Sequence, residues 1–241
     1  MATDPASFLT ALRLADSFLP VGTYTASYGI EQYVNEGRLE DADALSDLLE
    51  GYLRRLVGPV DVVALSNAHA ASAAGDLEHL LATDERLHAV TLPAEFRRSA
   101  TLAGEGLLAL YDSVVGATAP AGTDDGSTLV AAYAAAVEAD ETPGNYPVVL
   151  GLSTAAAGIP RAGACLLGAY TFVTETLGAA QRLGRFGHTE IQDVLSALLP
   201  VVAAVCDRYV DADLEMMGSF APLVDVMGMR HERADVRLFT S

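Results

Sequence analysis

The chain has 241 residues, of which 51% are hydrophobic, and its 32 acidic and 14 basic residues give a net charge of −18. All the basic side chains are arginine. Acidic residues spread along a chain without lysine are typical of adaptation to high salt. The alternative interpretation is a surface that binds cations or a basic partner. No basic patch is present to bind nucleic acid, and the alanine-rich, tryptophan-free composition favours close-packed helices in one all-α domain.

No targeting or membrane-spanning segment is predicted. Residues 1–14 lack the basic region of a signal peptide. The most apolar stretch, residues 162–180, contains Glu175 and many small residues, which is typical of a buried helix. Cys165 and Cys206 lack CxxC spacing and are expected as buried thiols. We therefore expect a cytoplasmic protein that does not enter the membrane.

Apolar periodicity, caps and breakers predict about ten helices and no strand of useful length. In chain order they occupy residues 5–16, 28–36, 41–57, 60–74, 76–89, 91–115, 127–139, 148–157, 161–183, 189–209 and 211–218. Three aspartates are the expected N-caps: Asp4, Asp41 and Asp76. Thr189 and Gln192 have capping-box spacing, and the pair Gly58-Pro59 is expected to separate two helices.

The helices are expected to form one domain over residues 1–218, with loops at 116–127 and 140–147, followed by a tail over 219–241. The tail contains two methionines, ends on an apolar pair, and has balanced charges in an otherwise acidic chain. Met-rich apolar segments with charge on one side often pack on a partner. The pattern alone favours a frayed terminus or a last core helix over a partner-binding segment.

No motif for catalysis or for a resident metal is found. The sequence has no P-loop, no HExxH and no GxSxG, and its five histidines fall on five separate segments. We therefore expect a binding protein without enzymatic activity, cofactor or metal site. The alternative is a helical small-molecule or metal-binding enzyme that uses Asp16, Glu31 and His231.

Four blocks of sequence carry a joint signature. The first reads LADSFLPVG at residues 14–22 and SYGIE at 27–31. The second consists of Asp84, Ala89, Glu95, Arg97, Arg98 and Gly104. The third consists of Arg182, Leu183, Gly187, His188 and Gln192. The fourth consists of Ser219, Phe220, Pro222, Asp225, Met229, His231 and Glu232, with RLFTS at 237–241. In this order and spacing, the blocks resemble the signatures of the urease accessory protein UreF family.

The sequence departs from the family pattern at a few positions. Arg185 replaces a usual proline, His188 replaces a usual glutamine, and Thr240 stands where arginine or lysine is common. The acidic segment 117–126 resembles an insertion and has no family role.

The resemblance implies an all-helical, non-enzymatic scaffold. Members of the family join a second accessory protein, UreD (also called UreH), and the GTPase UreG in a complex that helps deliver nickel to apo-urease. The family protein forms a homodimer across which UreG docks, and its C-terminal tail becomes ordered against UreD. The resemblance implies no cofactor.

The resemblance also assigns partner-binding residues. On the side of UreG and the dimer they are Asp16, Glu31, Tyr170, Arg182, His188 and Gln192. In the tail, on the side of UreD, they are Phe220, Asp225, Met229, His231, Glu232, Arg237, Leu238 and Phe239. Local roles are the alternative for three of them: Arg182 as a cation at a helix C-terminus, and Asp16 and Glu31 as helix caps.

Overall fold

The computed structural model describes residues 4–22, 26–116, 124–235 and 237–239. Most of the loop expected at 116–127 lies outside the described residues, as do residues 236, 240 and 241 of the tail.

The described residues form one all-α domain without a β-strand, which confirms the predicted fold class. The α-helices are α1 Pro5–Leu14, α2 Ile30–Asn35, α3 Ala42–Tyr52, α4 Val63–Ala74, α5 Leu77–Val90, α6 Ala94–Tyr111, α7 Asp124–Glu138, α8 Tyr146–Ala156, α9 Arg161–Arg182, α10 His188–Tyr209 and α11 Pro222–His231. Two π-helical stretches, Leu53–Val62 and Asp112–Gly116, and a 3₁₀ turn at Leu214–Met216 complete the helical structure.

Side-chain caps begin the helices where the sequence predicts them, with one exception. The carboxylates of Asp4, Asp41 and Asp76 each accept a hydrogen bond from the backbone N–H three residues later. The capping box predicted at Thr189 is wrong, because the N-cap of α10 is Gly187, two residues earlier. There, Glu190 Oε2 accepts a hydrogen bond of 2.7 Å from the N–H of Gly187.

The helix break predicted at Gly58-Pro59 is also wrong. The chain runs from α3 into α4 through the π-helix Leu53–Val62, which contains Pro59. The wider π-helical turn accommodates a residue that cannot donate an N–H to the usual α-helical bond. Gly58 allows this π-helix to approach α10 closely, since a Cβ at Gly58 would lie 2.5 Å from Val205 Cγ1.

Asp84 ties α5 to the segment before α8. This fully buried carboxylate accepts hydrogen bonds from Tyr133, from Thr142 and from the backbone N–H groups of Gly144 and Asn145, at 2.6–2.9 Å. Asn145 Nδ2 also donates to Asp84 Oδ1 at 2.7 Å, and these five donors satisfy the buried charge of the carboxylate. The aspartate of the second sequence block is therefore a structural centre that fixes the segment against which α6 packs.

Residues 219–235 and 237–239 fold back onto the body of the domain. Helix α11 packs on α2 and α6, and Met227 on its inner face is fully buried. Gly228 allows the close contact, because a Cβ there would lie 3.0–3.1 Å from Phe96 and Pro93. Gly29, at the start of α2, has a positive φ of 79° and lies against the backbone of Gly228.

Candidate functional site

The candidate functional site is a buried charge cluster where the tail meets α2 and α6. It consists of Glu31 on α2, Glu95 on α6, and His231 and Arg237 in the tail. These residues belong to three separate sequence blocks, and the fold brings them into direct contact. We refer to these four residues as the tail clamp.

His231 lies at the centre of the tail clamp. Its Nε2 is 3.0 Å from Glu31 Oε2 and its Nδ1 is 2.7 Å from Glu95 Oε2. The side chain is only 1% exposed. Each ring nitrogen of this buried imidazole therefore has a carboxylate oxygen within hydrogen-bonding distance.

Glu31 also binds the end of the described chain. Its two oxygens accept hydrogen bonds from the backbone N–H groups of Leu238, at 2.8 Å, and Phe239, at 3.0 Å. Burial acts to raise the pKa of Glu31, but the hydrogen bonds from His231, Leu238 and Phe239 outweigh it and lower the pKa below the usual value. Glu31 is thus an ionised receptor for the tail, and the alternative of a local helix cap does not account for these long-range contacts.

Glu95 connects the tail to α6. One of its oxygens binds His231 and the other binds the guanidinium of Arg237. Its backbone N–H donates to Glu232 Oε1 at 3.2 Å, so the tail also caps the first turn of α6. The tail clamp therefore joins two carboxylates to one arginine and one histidine.

Phe239 joins the tail to α9. Phe239 as a residue is 5% exposed, and the guanidinium of Arg182 lies 4.7 Å from the centroid of its ring. Arg182 Nε also donates to the carbonyl of Gly178 at 3.1 Å, as expected for a cation near a helix C-terminus. Arg182 and Phe239, which are predicted to bind different partners, are therefore in contact.

The other residues predicted for the UreG and dimer side lie apart from the tail clamp. Asp16 is exposed, and its Oδ1 accepts a local hydrogen bond of 2.9 Å from the N–H of Phe18. Tyr170 projects from α9, Gln192 is exposed on α10, and His188 Nδ1 lies 2.7 Å from Gln181 Nε2. Among the hydrogen bonds of the described residues, none joins Asp16 to Glu31 or His231, so the triad of the enzyme alternative is not assembled.

The tail residues divide into an inner and an outer set. His231 and Phe239 are buried against the body of the domain, and Asp225 is half-buried, with its pKa raised by burial. Phe220, Leu223, Val226, Met229 and Leu238 are exposed. The outer set leaves an apolar surface on α11 that the described part of the chain does not cover.

Sequence reasoning did not identify Glu95 as a site residue. Glu95 belongs to the second block, but it lies 136 residues from His231 in the chain, and Glu31 lies 200 residues away. No periodicity or spacing connects positions so far apart. The signal in the sequence was that Glu31, Glu95 and His231 all belong to the blocks of the joint signature.

A second feature is a pocket of about 80 Å³ beside the π-helix. Its lining includes Tyr28, Asp61, Tyr146 and Phe172. Burial raises the pKa of Asp61 to about 7. Among the residues that the structure describes, no group of three or more His, Cys, Asp or Glu side chains could hold a metal ion.

Helix α10 is long and apolar enough to cross a membrane by length and composition alone. It contacts α3, the π-helix and α9, and it buries Val194, Leu198 and Val205 in the core. A core helix of this kind passes the same test.

Comparison with known proteins is consistent with the resemblance of the four blocks. A family model described as UreF matches residues 39–199. The urease accessory protein UreF of Trichodesmium erythraeum (strain IMS101) is 31% identical, over 99% of both chains. The urease accessory protein UreF 1 of Brucella melitensis is 31% identical over 96% of this chain and 91% of its own. The UreF protein of Yersinia enterocolitica is 29% identical over 95% of this chain and 96% of its own.

Proposed function

The chain belongs to the UreF family of urease accessory proteins, and we propose that it acts as a non-catalytic cytoplasmic scaffold that bridges UreD and the GTPase UreG. In this proposal, the complex delivers nickel, as its cargo, to apo-urease, and the scaffold positions the GTPase and modulates its activity. In this proposal, the chain itself needs neither a cofactor nor a resident metal.

The observation that carries the proposal is the division of the tail. The tail clamp holds the inner set of residues, while Phe220, 78% exposed, and the apolar residues of α11 around it point outward. A group of large apolar side chains exposed together on one helix indicates a protein–protein interface, whereas single exposed apolar side chains do not. We assign this outer face of α11, with Leu238, to UreD.

For UreG, we propose the surface formed by Asp16, Arg182, His188 and Gln192. These side chains lie at the end of α1 and at the junction of α9 and α10. Arg182 connects this surface to the tail through Phe239. Binding of UreD to the tail therefore has a direct physical route to the surface assigned to UreG.

The role of the tail can be tested by deletion of residues 229–241. We expect the truncated chain to keep its helical circular dichroism spectrum, because most core residues lie before Pro222, and to lose binding to the cognate UreD in a pull-down. The double variant Phe220→Ser/Val226→Ser keeps the tail clamp and is expected to lose the same binding. Unfolding of the truncated chain would instead make the tail part of the core.

The enzyme alternative makes a different prediction. Alanine at Asp16, Glu31 or His231 would then abolish turnover or ligand binding while the complex with UreD and UreG still forms. The scaffold proposal predicts instead that alanine at Glu31 or His231 weakens assembly of the complex with UreD and UreG, because both residues hold the tail.

A further inference from the structure

The pocket beside the π-helix contains a carboxylate that the fold does not satisfy. Asp61 lines this pocket, and its carboxylate takes part in none of the hydrogen bonds and ion pairs that the described residues form. By contrast, the buried carboxylate of Asp84 accepts five hydrogen bonds. Because a charge among apolar groups without compensating donors costs stability, Asp61 does not serve the fold in the way that Asp84 does.

Asp61 lies in an unusual backbone element. It belongs to the last turn of the π-helix Leu53–Val62, and π-helical turns are rare and occur frequently at functional sites. Burial raises the pKa of Asp61 to about 7, so the free protein holds this carboxyl group partly protonated near neutral pH. A cation bound beside Asp61 would favour the charged form of the carboxylate.

A second carboxylate lines the same pocket. It belongs to Glu175 on α9, and the tyrosines Tyr28 and Tyr146 line the pocket with it. Burial and, after it, the charge of Glu175 raise the pKa of both tyrosines, which places this carboxylate near their hydroxyl groups. No arginine or histidine occurs among the described residues that line the pocket, and the chain has no lysine. This lining therefore contributes two carboxylates and no cationic side chain.

Aromatic rings and an unpaired hydroxyl group complete the pocket. The ring centroid of Tyr28 lies 5.0 Å from that of Phe172 and 5.5 Å from that of Phe96, and all three rings line the pocket. Thr171 also lines it and is 5% exposed, and within the described part of the chain its Oγ1 has no hydrogen-bond partner. Thr171 precedes Glu175 by one helical turn, so the two side chains lie on the same face of α9. A buried hydroxyl group without a protein partner beside a carboxylate indicates a polar ligand.

We propose that this pocket binds a guanidinium group, with Asp61 and Glu175 as its carboxylate partners. The N–H donors of a guanidinium match carboxylate and hydroxyl acceptors, and its planar cation stacks on aromatic faces such as those of Tyr28 and Phe172. The pocket of about 80 Å³ has the volume of two or three water molecules at about 30 Å³ each, which suits a group of about four non-hydrogen atoms.

Two sources supply such a group: a free guanidinium compound and the arginine side chain of a partner protein. Both present the same planar cation to Asp61 and Glu175. The proposal concerns this shared chemistry and does not rest on the scaffold function.

The test is isothermal titration calorimetry of the full-length chain with guanidinium chloride, in concentrated potassium chloride at constant ionic strength. Urea is the control ligand, because it has the same planar shape without the charge. The variants are Asp61→Asn and the control Asp47→Asn, which removes the same charge from an exposed position on α3. Circular dichroism establishes that each variant is folded.

We expect saturable binding of guanidinium, and no binding of urea, for the wild type and for Asp47→Asn. Asp61→Asn should weaken the binding of guanidinium by at least about thirtyfold, as removal of one partner from a buried charge pair does. The proposal is overturned if the wild type shows no saturable binding, if urea binds as tightly as guanidinium, or if Asp61→Asn leaves the affinity unchanged.

A pull-down with the cognate UreD and UreG distinguishes the two sources of the guanidinium group. Normal assembly of Asp61→Asn assigns the pocket to a free guanidinium compound, whereas loss of assembly assigns it to an arginine of a partner. A wild-type chain that binds guanidinium but does not assemble would contradict the scaffold function and leave the guanidinium site standing.

Discussion

Replacement of Glu31 by alanine is the sharpest test of the tail clamp. Glu31 accepts hydrogen bonds from His231, Leu238 and Phe239, and it is 5% exposed. Its loss leaves the Phe239 N–H buried without an acceptor and His231 with one carboxylate instead of two. We therefore expect the tail to detach from the body while the rest of the domain stays folded.

The size of the effect follows from these contacts. An unpaired buried donor costs about 1–3 kcal/mol, and removal of one partner from a buried ion pair costs about 3–5 kcal/mol. Because the two losses overlap at the same carboxylate, we expect tail docking to weaken by about 3–5 kcal/mol in total. This corresponds to an increase in the detached population of roughly a hundredfold to a few thousandfold.

Trypsin reports this population directly. The chain contains no lysine, so cleavage in the tail can follow only Arg230, Arg233 and Arg237. When opening and closing are fast, the cleavage rate tracks the detached population. Mass spectrometry of intact protein over time gives the rates for the wild type and for Glu31→Ala.

The matched control is Glu36→Ala. Glu36 also binds the tail, through Arg230 at 2.8 Å, but this ion pair lies at the surface. Surface pairs contribute little, so we expect at most a few-fold change in cleavage. Equal cleavage rates for Glu31→Ala and the wild type, with both proteins folded, would refute the tail clamp.

Three further predictions follow from the same structure. Ionised Glu31 stabilises the docked tail fully above its usual pKa of 4.5, and this stabilisation is lost as the pH falls through the lowered pKa of the folded state. Hydrogen exchange of residues 222–239, corrected for intrinsic rates, should therefore stay constant from pH 7 to pH 5 and become faster below pH 5. Asp61→Asn should raise the free energy of unfolding by about 1–3 kcal/mol at pH 8, measured by urea titration, because burial raises the pKa of Asp61 from 3.8 to about 7 and opposes its ionisation in the folded state. This gain should shrink as the pH falls below 7 and disappear below 3.8, where Asp61 is protonated in both the folded and the unfolded state. Gly104→Ala should lower Tm by roughly 6–12 °C in calorimetry, since its Cβ would overlap the carbonyl oxygen of Gly144, whereas Gly178→Ala, with open space around its Cβ, should not lower it.

Local chemistry made most helices predictable. Asp4, Asp41 and Asp76 cap helices as expected because an N-cap depends on residues only three positions apart. The break predicted at Gly58-Pro59 is wrong because the chain packs against α10 as a continuous helix with a π-helical stretch. The prediction assumed that proline ends an α-helix, and this assumption does not apply to the wider π-helical turn.

The site was predictable only as a set of residues, without its contacts. The family resemblance selected Glu31, His231 and Arg237, but neither periodicity nor spacing indicates that His231 lies between Glu31 and Glu95. Such contacts depend on how α2, α6 and α11 pack. For the same reason, the sequence did not show that Arg182 and Phe239 meet, and it assigned them to different partners.

The division of the tail into two faces is a property of the folded helix. In the sequence, Met227 and Met229 look equivalent, as two methionines of one apolar segment. In the structure Met227 is fully buried and Met229 is 38% exposed, because α11 turns them to different sides. The helix therefore docks on its own domain and presents another face to a partner.

The most direct test of the scaffold function is the assembly of the complex itself. The purified chain, the cognate UreD and the cognate UreG should be mixed at high salt and analysed by size-exclusion chromatography with light scattering. We expect a single species that contains all three proteins, and we expect its loss when residues 229–241 are deleted. Elution of the full-length chain free of both partners would contradict the scaffold function.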